Sequence, residues 1–348
     1  MNERILELLP MLAMSLGVSV IALIVVTLVH ELGHAAAGYA AGLRVARVQL
    51  GPIEIRDHGR PYVRLVRSLQ AGVVLVPFDH TFALGSLRWA LIVSTAAGPF
   101  IGLMSGAVVL GLDGGWRFND LLSLPQAVGQ MSLIIGALNL LPLRSGDQLA
   151  DGRRIFSLLM RNRESGLILA STLMLVEALS SRRPRDWDPA LLAVMERSPG
   201  EVFARLCLYE AAIDRGEVDV AGRHIDAAVA LRSAKWTSAD AILFTEAAYY
   251  VARHRGDARA ARALLGLADG GDVVDFLRAR AEAAVLCAEG RALEGRQRAV
   301  AGLAALERSR RSDADRCREQ LEELARGAGA LVRPLLRPLL RPLLTRPR

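Results

Sequence analysis

Three cysteines are all that this chain of 348 residues contains. Cys207, Cys287 and Cys317 lie far apart, are odd in number and share no metal-ligand spacing. A disulfide scaffold and a cysteine-held metal are thereby excluded, and the three read as reduced, buried thiols. Aromatic residues are scarce as well, at 5%. The net charge of +7, largely from arginine, has no aromatic interleaving and no nucleic-acid motif beside it. Nucleic acid is set aside as a partner, and an anionic membrane surface takes its place. Charge itself is missing from three long stretches of the first 145 residues, whereas the last 165 are dense in Arg, Asp and Glu. One soluble globule does not fit that division; two modules in two solvents do.

The first uncharged run covers 8–29 and is long enough to cross a hydrocarbon core as a helix. Two more cover 89–112 and 121–143, so spans are expected at about 8–36, 89–112 and 121–143. A shorter run, 165–176, lies between Glu164 and Glu177 and reads as a buried or interfacial helix. The first run is no cleaved signal peptide: its leading segment has one Arg against two Glu, and its apolar stretch is too long. The loop after it holds Arg44, Arg47, Arg56, Arg60, Arg64 and Arg67, and arginines return after the third run. The positive-inside bias puts the N-terminus outside, with the first loop and everything beyond 144 in the cytoplasm.

His30-Glu31-Leu32-Gly33-His34 fits H-E-x-x-H. On a helix, positions four apart share a face, so both imidazoles can hold one zinc, with Glu31 beside them as a base. Chance produces the pattern on the order of once per hundred chains of this length, so its placement decides. Ionisable groups at the cytoplasmic end of an apolar span are costly unless they pair, face water or bind metal. A catalytic zinc needs a third protein ligand. The third span ends at the same membrane depth, and Asp147 and Asp151 follow it.

HELGH closing a first span, followed by Asn139-Leu-Leu-Pro142 and then Asp151-Gly152 after a later one, resembles the site-2 protease family of intramembrane zinc metalloproteases. Ala97-Gly98-Pro99 in the middle span and Leu50-Gly51-Pro52 after the first add to the resemblance, which covers about 10–155. It implies a three-helix core that cleaves membrane-protein substrates in or near their transmembrane segments. It further implies Zn2+ held by His30, His34 and an aspartate, Glu31 as general base, and Asn139 and Pro142 positioning the substrate. The aspartate's spacing departs from the family pattern. Asp147 has the compact spacing but is followed by Gln148, while Asp151 has its glycine and lies four residues later. Asp151 is the preferred ligand and Asp147 the alternative. Gly98, Gly102 and Gly106 read as close helix packing, and His58 and His80 as surface histidines.

Alternating residues over 45–76 predict short strands and a hairpin. Beyond Arg182, Ala- and Leu-rich helices surround three similar turns, at Gly216, Gly256 and Gly290, spaced 40 and 34 residues apart. That is near the period of tetratricopeptide-like helix pairs, whose concave face binds proteins; a helical bundle that only stabilises the protease is the other reading. The tail repeats Leu-Leu-Arg-Pro, which forbids a stable helix. The expected architecture is an all-α polytopic membrane protein with a small β-hairpin loop and a cytoplasmic α-helical repeat domain. Residues 1–180 form the metalloprotease core, 181–327 the tetratricopeptide-like region with its cytoplasmic protein partner, and 328–348 a disordered basic tail. The expected setting is the lipid bilayer of a bacterial cell membrane. The alternative is an inactive membrane scaffold whose repeats bind partners.

Overall fold

The computed structural model describes residues 3–57, 61–65, 71–78, 83–117, 123–145, 148–180, 182–231, 238–269, 273–309 and 315–327. The molecule is mostly helical and divides into two compact units, 1–180 with 187–199, and 181–186 with 200–348.

In the first unit, α1 runs over Glu3–Ala40, α2 over Leu84–Leu112 and α3 over Leu124–Leu140, and the three pack against one another. Two segments, Pro10–Ala40 and Leu84–Leu112, are helical, long and apolar enough to cross a membrane. Leu12, Leu16 and Ile24 of α1 and Phe100, Met104 and Val108 of α2 point outward rather than into the protein. The third apolar run is cut to 17 helical residues. Ser123 caps its start by accepting from the Gln126 N–H, and Pro142 has no N–H with which to extend its end. Glycines let α2 and α3 approach closely: a Cβ on Gly106 would lie 2.8 Å from the Gly129 oxygen.

The loop between α1 and α2, expected to hold short strands and a hairpin, holds a larger unit. It is a four-stranded antiparallel sheet, with β1 at Leu43–Leu50, β2 at Ile53–Asp57, β3 at Pro61–Leu65 and β4 at Ala71–Pro77. The strand order is β3-β2-β1-β4, which makes β4 an edge. Helix α4, Asp151–Met160, packs on α2 and α3, and α5, Arg163–Leu179, packs on α4 and β4. Leu43, Leu87, Leu91, Leu158, Ile168 and Leu169 form the core between them, and Val76 buries against Val176. The short run at 165–176 is thus a packed helix, and a final helix α6, Pro189–Glu196, completes this unit beside α5.

The second unit is helical. Its helices are α7 (Val202–Asp214), α8 (Val218–Ala230), α9 (Ser238–Tyr250), α10 (Ala258–Leu267), α11 (Asp275–Ala288), α12 (Ala292–Ser309) and α13 (Asp315–Arg326). Gly216, Gly256 and Gly290 end helices with φ of 79°, 65° and 80°, a left-handed conformation that glycine adopts without steric cost. Cys207 and Cys317 are buried and Cys287 only half-buried; all three are free thiols. His58, His80, Asp147 and the tail 328–348 lie outside the described residues.

Candidate metal centre

Helical spacing on α1 sets the His30 and His34 rings edge to face, 4.6 Å apart between centroids. Their Nε2 atoms lie 3.1 Å apart. Asp151 Oδ2, from a helix 121 residues later, stands 3.2 Å from His30 Nε2 and 3.4 Å from His34 Nε2. These three atoms form a near-equilateral triangle. Tetrahedral zinc with bonds of about 2.0–2.1 Å needs ligand atoms about 3.3–3.4 Å apart, so the triangle fits that ion.

The donor chemistry points the same way. His34 Nδ1–H donates to the Ser94 carbonyl at 2.8 Å, so that nitrogen carries the proton and a neutral ring presents a bare lone pair at Nε2. Burial raises the affinity of the Asp151 carboxyl for a proton, yet contact with His30 and His34 outweighs it and holds the group at about 2. It stands as an anion. A carboxylate and two neutral imidazoles converging at 3.1–3.4 Å need a positive charge among them, either a proton shared with the carboxylate or a metal cation in its place. Ser94 orients His34 as outer partners of ligating histidines do. His30 Nδ1 is buried and has no such partner among the described residues.

Two glycines make room for His34 and Asp151. A Cβ on Gly98 would sit 2.4 Å from the His34 ring, so the α2 backbone presses directly on the imidazole. A Cβ on Gly152 would sit 1.9 Å from the Leu140 carbonyl oxygen, so the first turn of α4 lies on the last turn of α3. The segment before Asp151 is closed by local pairing. Residues Arg144–Ser145 (β5) pair with Gln148–Leu149 (β6), and the Ala150 N–H donates to the Leu143 carbonyl at 3.2 Å. The chain therefore leaves and re-enters at one place, directly before Asp151.

Glu31 is buried beside the two histidines, and the Val73 main-chain N–H of edge strand β4 lies within reach of its carboxylate. Asn139 sits half-buried in the last turn of α3, and Pro142 is exposed just past it; neither supplies a ligand atom. Asp147, the alternative ligand, lies outside the described residues. Sequence reasoning missed Ser94, Gly98 as a seat for His34, and Val73. Ser94 and Val73 act through main-chain atoms that every residue carries, so no residue type signals them. Among the described residues, His30, His34 and Asp151 are the group able to hold a metal ion. Comparison of the chain with protein-family models, curated proteins and solved structures finds no match.

Proposed function

We propose that the chain is an intramembrane zinc metalloendopeptidase, of the kind the site-2 protease resemblance implies, acting on peptide bonds in or near transmembrane segments of membrane proteins. The observation that carries this reading is the meeting of His30, His34 and Asp151 beside a buried glutamate, at the end of an apolar helix. An enclosed carboxylate with no role is costly, whereas a base poised at a metal centre has a use for it. Zinc held by these three ligands would supply Lewis-acid activation of water and of the scissile carbonyl. Glu31 would accept the proton of the attacking water and return it to the leaving amine.

The outer edge of β4 presents main-chain groups beside Glu31. A locally unwound substrate segment can pair there as an added strand, which aligns its backbone with the catalytic carboxylate. In this reading α1, α2 and α3 cross the membrane, α3 at the short limit of about 17 residues. The N-terminus lies outside, and the second unit is a tetratricopeptide-like module in the bacterial cytoplasm that recruits a protein partner.

The test is metal content and cleavage measured on the same purified preparations. Wild type should carry near one zinc per chain, His34→Ala and Asp151→Ala should lose it, and Glu31→Gln should keep zinc and lose cleavage of a transmembrane substrate. A folded wild type without zinc under metal-retaining conditions would sink the reading. Undiminished cleavage by Glu31→Gln would remove its mechanism.

A further inference from the structure

The inner helices of the second unit are enclosed more completely than a row of helical hairpins requires. Helix α9 buries Leu243, Phe244, Ala247, Ala248, Tyr249 and Tyr250, and α11 buries residues around much of its circumference, from Phe276 to Val285. A helix at the inner face of an open array keeps one side in water. On α11 that side is covered, and α13, packed on α11 and α12, covers it.

Helix α13 reaches across the array rather than simply following α12. At its start, Arg316 lies 3.6 Å from Glu210 of α7. One turn on, Glu319 pairs at 2.6 Å with Arg183, which also holds Asp214 at the end of α7. Gln320 accepts from buried Arg280 of α11 at 2.7 Å. A further turn on, Glu323 pairs with Arg253 of the π-helical turn Val251–Arg255. Between these contacts Cys317, Leu321 and Leu324 form one apolar stripe, and Leu321 seats against Gly302 of α12.

The apolar stripe is buried, but the ion pairs that orient it are weak. Glu319 and Glu323 are more than half exposed, and exposed ion pairs are weak. Twelve residues are too few for a helix to be stable by itself. Beneath α13, Arg280 Nε is buried without a hydrogen-bond partner among the described residues, and so is Nη1 of Arg316 on α13 itself. Such orphaned donors are rare in a surface that has reached its final fit.

We propose that the face built by α7, α11 and the turn Val251–Arg255 is a helix-binding groove, that α13 is its built-in occupant, and that an amphipathic helix from a partner, with carboxylates four residues apart beside a leucine stripe, takes the same place. Arg183 and Arg253 read the two carboxylates, and the surface of α11 and α12 reads the stripe. The proposal does not rest on protease activity. It makes the array self-liganded, with its groove available only when α13 is displaced.

The test uses the full chain in lipid nanodiscs, by hydrogen exchange and by binding of a helix-stabilised peptide of residues 315–327. In wild type, α13 amides should exchange at least about tenfold faster than those of α11 and α12, because they open locally. Glu319→Arg with Glu323→Arg should accelerate α13 alone, and should let the added peptide bind at least about tenfold more tightly than wild type does. A peptide with both glutamates changed to glutamine should bind the same variant more weakly. Exchange of α13 in step with α11 and α12 in wild type would overturn the proposal, whatever the variant does. So would a double variant that keeps α11 and α12 protected, exposes α13, and still refuses the peptide.

Discussion

The Cα of Gly152 rests on the carbonyl of Leu140, so closely that a Cβ there would lie 1.9 Å from the oxygen. That contact joins the end of α3 to the start of α4 and aims Asp151 at the two histidines of α1. Gly152→Ala must push α4 away, at a cost of about 1–3 kcal/mol for a forced backbone shift. We expect zinc content to fall with the fold retained, measured by metal analysis beside circular dichroism. Full zinc in a folded Gly152→Ala protein would show that Asp151 is not placed this way.

Gly98 tests the other side of the centre. A methyl group there meets the His34 ring at 2.4 Å, and the ring also depends on its Ser94 hydrogen bond. Gly98→Ala should weaken zinc affinity about 10- to 100-fold, the range for losing a ligand's outer support. Competition with a chelator reads this directly, and an unchanged affinity would rule out the tight seat.

Edge strand β4 gives a separable prediction. Val73→Pro removes the main-chain N–H that faces Glu31, and proline is tolerated at a sheet edge. Zinc should be retained, while kcat/KM for a transmembrane substrate falls about fivefold, as expected for a hydrogen bond worth about 1 kcal/mol. Loss of zinc together with cleavage would mean that the strand supports the site instead of addressing substrate.

Acid should loosen the second unit. Burial favours protonation of Asp214, yet Arg183 outweighs it and holds the carboxyl below its usual range; Arg280 and Arg316 do the same for buried Glu246. Both folded values are depressed, so their stabilisation is present above the unfolded carboxylate value of about 4 and is lost as pH falls through the folded values. Thermal unfolding of the helical unit should be nearly constant from about pH 7 to 5 and drop below about pH 4. Asp214→Asn should remove part of that acid slope; an identical slope would assign it elsewhere.

Burial also governs the thiols. It raises the Cys207 thiol far above its ordinary range, and it raises the half-buried Cys287 as well. Alkylation at neutral pH should therefore reach Cys287 first and Cys207 only on unfolding, read by mass spectrometry over time. Early modification of Cys207 would contradict its packing.

By itself the sequence determined what depends on local periodicity and residue type. The uncharged runs marked α1 and α2, because only length and apolarity are needed to make them. His30 and His34 share a face because 3.6 residues make a turn, and Gly216, Gly256 and Gly290 fall at turns because only glycine takes that φ freely. Tertiary structure decided the rest. The sheet grew beyond the expected strands and hairpin because β4 returns to pair with β1, across β2 and β3, which no local pattern links. Asp151 reached the histidines because β5 pairs with β6 just before it and Gly152 lets α4 sit on α3. And α13 covered the inner face of the helical unit through Arg183, Arg253 and Arg280, partners 40 to 136 residues away in the chain, at separations that only a finished fold brings to hydrogen-bonding distance.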